Sequence, residues 1–253
     1  MKLGFIGTGK ITDAVVRGFC TSAVAGVEIF VSPRNTGIAN ALVEAFPNVQ
    51  KMTTNQAVVD AAEIVFVAVR PPVALAVLSE LRFSSAQQVI SFVPLLKQAD
   101  LFAAVQPATR VGRAIPLPSV VYHNCPIPLF NISPQIAELF RYIGQPLLVN
   151  SEAELHAIWT LTGLISPYYH LLYELSKWTI SHGVAAETAH QYVADLFQSL
   201  SHMAQQQQPI DFKKLAAHAA TPNGMNEQAA KEITEKGAHQ VYAAACDRLL
   251  TRF

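Results

Sequence analysis

Charge is scarce in this chain. Only 14% of its 253 residues are Asp, Glu, Lys or Arg, and the 18 bases balance the 18 acids. A balanced surface exerts no overall pull on a polyanion, so neither nucleic acid nor an anionic membrane is expected as a partner. Cysteine is nearly absent as well. Cys20, Cys125 and Cys246 are odd in number and form no CxxC pair, which fits neither a disulfide framework nor a zinc site and suits a reducing compartment. No stretch reaches the roughly 20 uninterrupted apolar residues of a membrane span. The first apolar run is broken at Gly7, with Lys10 and Asp13 close behind, so it lacks the core of a signal peptide. A cytoplasmic location is the expectation. The sequence contains no HxxxH or HExxH spacing and no Cys/His cluster for a metal, and no GxSxG elbow for a hydrolase.

Apolar residues are abundant, at 51%, which for a water-exposed chain hints at surface hidden in an oligomer. The length suits two domains. MKLGFIG reads as a buried strand, and the residues after Gly9 as an amphipathic helix. VEIFVS (27–32), AEIVFVAV (62–69) and QVISFV (88–93) are further buried strands, alternating with helical patterns at 35–46 and 73–81. This alternation, kept to about residue 115, predicts an α/β fold with an N-terminal Rossmann-type doubly wound sheet. A helix near 134–143 and a strand at 145–149 can extend it. From SEAELHAI at 151 strand patterns vanish, with Ser151 as N-cap and Glu154 in the capping-box position. The predicted organisation is a dinucleotide-binding domain over 1–150 and an all-helical C-terminal domain over 151–253. Trp159, Tyr168, Tyr169, Tyr173 and Trp178 fall early in the latter and are expected to fill a helix interface.

The glycines at 4, 7 and 9 sit where strand turns into helix. A turn with so little side-chain bulk lets a pyrophosphate rest against free N–H groups at a helix N-terminus; a tight turn without a ligand is the plain alternative. Gly7, Thr8, Gly9, Lys10 and Ile11 are the candidate residues. The third small residue of the usual fingerprint is replaced by Thr12. At the end of the second strand an NAD reader would carry Asp or Glu, whereas this chain has Ser32-Pro33-Arg34. A hydroxyl and a guanidinium suit a 2′-phosphate, so NADP(H) is preferred over NAD(H), unless Arg34 is merely a solvated charge. Ala68, Val69, Arg70 and Pro71 end the central strand at the carboxyl edge, where ligands of open α/β sheets bind. Asn55 either caps the short helix that follows it or reaches the adenosine. In TPNGMNEQ (221–228) a turn precedes a strong helix former run, leaving the N–H groups of Met225, Asn226 and Glu227 free for a carboxylate, or forming only an interhelical turn.

Taken in order, GFIGTGKITDAVVRGF, AVRPP, VISF and TPNGMNEQA resemble the pyrroline-5-carboxylate reductase family. The resemblance covers most of the chain and implies a helical domain that dimerises, a site between subunits, and NADPH-dependent reduction of a cyclic imino acid to proline. It also implies substrate binding by Thr221, Gly224, Met225, Asn226 and Glu227, with Asn226 orienting the ring nitrogen where the family has threonine. Pro116 would help wall the nicotinamide. Departures are numerous: Asn223 stands for a glycine, Arg70 for a lysine, and Lys10-Ile11 for Asn-Met, which points to a divergent member whose imine may differ. Two other readings are a β-hydroxyacid-dehydrogenase-like enzyme using Lys177 and a non-catalytic NADP(H)-binding sensor.

Overall fold

β-Branched and aromatic residues build the strands of a single eight-stranded sheet. They are β1 (Lys2–Ile6), β2 (Glu28–Val31), β3 (Val49–Lys51), β4 (Ile64–Val67), β5 (Gln88–Ser91), β6 (Arg110–Ala114), β7 (Cys125–Phe130) and β8 (Gly144–Val149). The computed structural model describes residues 1–253. Strand order is β3-β2-β1-β4-β5-β6-β7-β8. Pairing is parallel from β3 to β6, antiparallel between β6 and β7, and parallel again between β7 and β8. The order reverses direction between β1 and β4, and the crevice at the carboxyl ends of those two strands is where such sheets take ligands.

Helices cover both faces, as parallel strands buried on each side require. On one face α1 (Lys10–Thr21) and α6 (Pro134–Arg141) close a core that includes Phe5, Phe66, Phe92 and Phe140. The first three rings stack at centroid separations of 4.7 and 5.2 Å, and Phe140 meets Phe66 edge-on at 6.1 Å. On the other face α3 (Asn55–Ala61), α4 (Ala74–Ser79) and α5 (Gln98–Ala104) cover Ile6, Val65, Val67 and Val89. Gly4 belongs to this second face. A Cβ there would lie 2.7 Å from that of Ala62 and 2.9 Å from Val58 Cγ1, so its glycine serves helix packing.

The expected boundary at residue 150 meets a different division in the structure, whose compact units are Met1–Ile158 with Phe253, and Trp159–Arg252. Helix α7 (Glu152–Thr160) is why. It begins where the sequence suggests: Ser151 Oγ accepts from the Glu154 N–H at 3.1 Å, while the Glu154 carboxylate accepts from the Asn150 N–H at 2.8 Å. Its first residue, Glu152, pairs with Arg113, a fully buried guanidinium in β6, and accepts from the Gln98 N–H at 2.7 Å. Those bonds fasten the start of α7 to the sheet. His156, one turn on, lies 3.0 Å from Arg113 Nη1 and stacks on Phe253 at 4.5 Å. Burial and the neighbouring Arg113 hold its imidazole pKa below the usual value, so it stays neutral and accepts from the guanidinium.

The second unit is helical: α8 (Ile165–Ser181), α9 (Ala186–Gln205), α10 (Phe212–Ala219), α11 (Met225–Glu235) and α12 (Ala238–Leu250). Pro167 sits in the first turn of α8, where its missing N–H costs nothing. The aromatic residues depart from expectation. Trp159 is buried, but Tyr168, Tyr169, Tyr173 and Trp178 are exposed on the chain, the last at 62%. Tyr168 still meets a neighbouring helix, its ring edge-on to Phe197 of α9 at 6.3 Å. No helix is long and apolar enough to cross a membrane.

Candidate functional site

The turn from β1 into α1 is held by a serine one strand away. Ser32 Oγ accepts from the Gly7 N–H at 2.9 Å, and the Thr8 hydroxyl donates to the Ser32 carbonyl at 2.6 Å. With that proton spent, the Ser32 hydroxyl donates to Thr8 Oγ1 at 3.0 Å. Ser32 is therefore fully buried inside the loop's own scaffold. This corrects the expectation that it meets a 2′-phosphate: its hydroxyl sets the loop instead. Thr12 is equally buried, and its hydroxyl donates to the Gly7 carbonyl at 2.5 Å. The third fingerprint position thus tolerates threonine because the hydroxyl finds a partner at the turn.

Gly7 and Gly9 answer to different demands. Gly7 has φ +96°, and a Cβ on it would stand 2.7 Å from the Ala68 carbonyl oxygen. Gly9 has an ordinary extended φ of −100°, and a Cβ would meet nothing within 4 Å. The protein itself does not require glycine there; the space it leaves is the cradle a pyrophosphate would fill. As N-cap of α1, Gly9 provides no side-chain cap, so the first-turn N–H groups at Lys10 and Ile11 remain available.

A cavity of about 390 Å³ opens over this turn, lined by Gly7, Thr8, Gly9, Arg34, Asn35, Thr36, Ala68, Val69 and Arg70. It gathers seven of the predicted cofactor residues. Arg34 and Arg70 are its only charged side chains, so it is cationic with no acid to receive a ribose diol. Asn35 and Thr36 were missed by the sequence reading, although they directly follow Arg34; Asn35 Oδ1 also caps α2 (Thr36–Ala45) by accepting from the Ile38 N–H at 3.4 Å. Lys10, Ile11, Asn55, Pro71 and Pro116 do not line the cavity. Asn55 is not the helix cap either: Thr54 Oγ1 accepts from the Ala57 N–H at 3.0 Å, which makes Thr54 the N-cap of α3 and Asn55 its first residue. Pro71 opens a short 3₁₀ turn, and Pro116 is buried just beyond β6.

In the helical unit, the 221–227 segment is a formed turn. The Gly224 N–H donates to the Thr221 carbonyl at 2.9 Å, and a Cβ on Gly224 would collide with Thr221 Oγ1. Asn223 has φ +60°, a conformation that asparagine adopts more readily than other side chains, which explains how it stands in for glycine. The Glu227 carboxylate accepts from the Asn223 N–H at 2.7 Å. Gly224 caps α11 without a side chain, leaving N–H groups at Met225 and Asn226 open. Asn226 Nδ2 donates to the Ala219 carbonyl at 3.2 Å, so Oδ1 is the atom left to accept. Lys177 lies exposed on α8, 3.7 Å from Glu174 Oε2.

A mostly parallel sheet whose glycine turn leaves a helix N-terminus bare, with a cationic cavity at the strand-order switch, is a nucleotide-binding oxidoreductase fold. Residues 2–94 match the family described as NADP oxidoreductase coenzyme F420-dependent, and residues 152–253 match pyrroline-5-carboxylate reductase dimerisation. A pyrroline-5-carboxylate reductase of Corynebacterium melassecola is 25% identical over 263 residues, spanning 96% of this chain and 95% of that protein. The crystal structure of 1-pyrroline-5-carboxylate reductase from Streptococcus pyogenes shares the fold with a TM-score of 0.86 at 18% identity, covering 100% of this chain and 97% of that one. Pyrroline carboxylate reductase of Plasmodium falciparum, solved with NADP bound, has a TM-score of 0.84 at 16% identity, covering 100% and 96%. Residues 152–253 thus carry a pyrroline-5-carboxylate reductase dimerisation domain, and over nearly its full length the chain is similar to pyrroline-5-carboxylate reductases.

Proposed function

We propose that this protein reduces a cyclic imine with NADPH, taking 1-pyrroline-5-carboxylate to proline or a related imino acid to its saturated product. The observation that carries the cofactor choice is the cavity beside Gly9, with Arg34 and Arg70 on its lining and no carboxylate. Arg34 suits the 2′-phosphate, since a guanidinium makes charge-assisted bonds to phosphate oxygens. Thr36 is placed on the same lining to add a hydroxyl. The N–H groups after Gly9 would receive the diphosphate, and Ala68, Val69 and Arg70 the neighbouring part of the cofactor.

When bound, the reduced nicotinamide supplies a hydride. The chain's own tasks are then to position the imine and keep it protonated. Asn226 Oδ1 is an acceptor matched to the N–H of a protonated ring nitrogen, and the open N–H groups at Met225, Asn226 and Glu227 suit a carboxylate, with Thr221 and Gly224 shaping that turn. Alignment of this kind can lower a barrier by several kcal/mol, up to about 7–11 in the best intramolecular cases. In this reading the unit that carries the sheet binds cofactor, while the helical unit binds substrate and forms a homodimer or larger homo-oligomer in the cytoplasm. The exposed Tyr169, Tyr173, Trp178 and Tyr192 on α8 and α9 support the oligomer, because so much aromatic surface calls for a covering partner.

Mixing the protein with NADPH and a panel of cyclic imines, while following the absorbance of the reduced nicotinamide, tests the reading. Imine-dependent loss of that absorbance is expected. Tight NADPH binding without oxidation by any imine would replace the enzyme with a cofactor sensor, and abolition of turnover in a folded Lys177→Ala variant would favour the dehydrogenase-like mechanism.

A further inference from the structure

We propose that the amino edge of the sheet holds a second binding site, for a small monocarboxylate with a short aliphatic body. Strand register sets its floor. Gln88 and Arg110 are direct partners at the first positions of β5 and β6, so their side chains leave the sheet on the same face. The Asn131–Ser133 loop forms the wall, crossing β6 so closely that a Cβ on Gly112 would stand 2.6 Å from the Asn131 carbonyl oxygen. Two adjoining hollows of about 590 and 390 Å³ share Gln88, Arg110 and Ser133. Their size is that of small-molecule sites. The glycine turn follows the carboxyl end of β1, and Ala68–Arg70 that of β4, at the opposite edge, so the two sites are separate.

Two consecutive glutamines show what the hollow lacks. Gln87, 7% exposed, donates to the carbonyls of Val59 and Ala62 at 2.5 and 2.9 Å and accepts from the Ser84 N–H at 2.8 Å. Gln88 is 8% exposed, yet its side-chain amide bonds to nothing in the chain and borders both hollows. The tip of that amide still reaches solvent through the hollows, so it is free to bond whatever enters them. Arg110 donates to the Ala86 carbonyl and has further N–H groups to offer. It is the only charged residue lining the larger hollow. Glu63, at the rim of the smaller one, is already accepting from the Lys2 N–H at 2.9 Å. Asn131 Nδ2 is spent on the Val111 carbonyl at 2.7 Å, and the Ser133 hydroxyl, at the start of α6, makes no capping bond. Leu129, Ile132 and Leu148 supply apolar wall. One cation, one waiting amide and an aliphatic wall select a carboxylate on a hydrocarbon body. This inference stands independently of the reductase reading.

Pentanoate is the probe, with pentanamide as its uncharged match, titrated into the full chain carrying methyl-labelled Ile and Leu and followed by NMR. Saturable shifts at Ile132, Leu129 and Leu148 are expected for pentanoate, with at least tenfold weaker response to pentanamide. Arg110→Gln, at an exposed position, should weaken pentanoate at least tenfold while NADPH affinity is unchanged, and Gln88→Leu should weaken it with the spectrum still folded. Shifts that never saturate, or that are equal in Arg110→Gln, or that follow pentanamide as closely as pentanoate, overturn the proposal.

Discussion

Replacing Gly9 by alanine separates what the loop needs for folding from what it needs for its ligand. The residue has φ −100° and ψ −170°, which alanine adopts without strain, and its Cβ would meet no protein atom within 4 Å. Losing a glycine N-cap costs a few tenths to about 1 kcal/mol, and the stiffer unfolded chain returns about 0.4–1 kcal/mol, so the fold should be unchanged within about 1 kcal/mol. Binding should behave otherwise. A methyl in the cradle holds phosphate oxygens off the N–H groups of α1, and each charge-assisted bond lost is worth about 1.5–3 kcal/mol, or roughly 10- to 150-fold in affinity. Gly7→Ala is the contrast. Its Cβ would lie 2.7 and 2.8 Å from the carbonyl oxygen and carbon of Ala68, backbone atoms that cannot swing aside, at φ +96°. Left-handed strain of about 1–2 kcal/mol and overpacking of about 1–3 kcal/mol place the loss at roughly 2–5 kcal/mol of stability. Urea unfolding and calorimetric titration with NADPH read the two quantities separately. Wild-type NADPH affinity in Gly9→Ala, or a stability loss there equal to that of Gly7→Ala, would refute the reasoning.

Ser32→Ala removes the acceptor of the Gly7 N–H and a partner of Thr8, so it should destabilise by about 1–3 kcal/mol and weaken NADPH and NADH alike; selective loss of NADPH would return Ser32 to the 2′-phosphate. Gly224→Ala forces the 221–224 turn open against Thr221 and should cut imine turnover at least tenfold while leaving NADPH affinity intact, as steady-state kinetics and titration would show. Stability should depend on pH through His156. Its folded pKa lies below the unfolded value of about 6.5, so the unfolded chain takes up the proton first as pH falls. The contribution is complete above that value and is lost as pH drops from there toward the lower folded pKa. Urea midpoints between pH 7.5 and 5.5 should therefore fall, and His156→Gln should flatten the dependence; an equal slope in that variant assigns it to other groups.

The alternation of strand and helix through β5 was legible because parallel strands buried on both faces read as unbroken apolar runs. Short β3, with two of three residues exposed, has no such run, and β7 is punctuated by Pro126 and Pro128. The glycine turn was readable from type and spacing, and the structure gathers Gly7, Gly9 and Arg34 on the lining of one cavity. The role of Ser32 was not, because nothing in its neighbours tells whether a hydroxyl faces a ligand or an N–H group 25 residues earlier in the chain. Thr54 displaced Asn55 as cap by a single position, a distance at which residue preference alone cannot decide. The tie from Glu152 to Arg113 was hidden for a similar reason: it joins residues 39 apart.

The central claim is that this cavity holds a phosphorylated dinucleotide through Arg34. Calorimetric titration of wild type and Arg34→Ala with NADPH and with NADH measures it directly. Wild type should prefer NADPH, and the variant should lose at least tenfold toward NADPH with NADH affinity unchanged, the equivalent of one charge-assisted bond of about 1.5–3 kcal/mol. Equal weakening toward both coenzymes, or none toward either, would contradict the account.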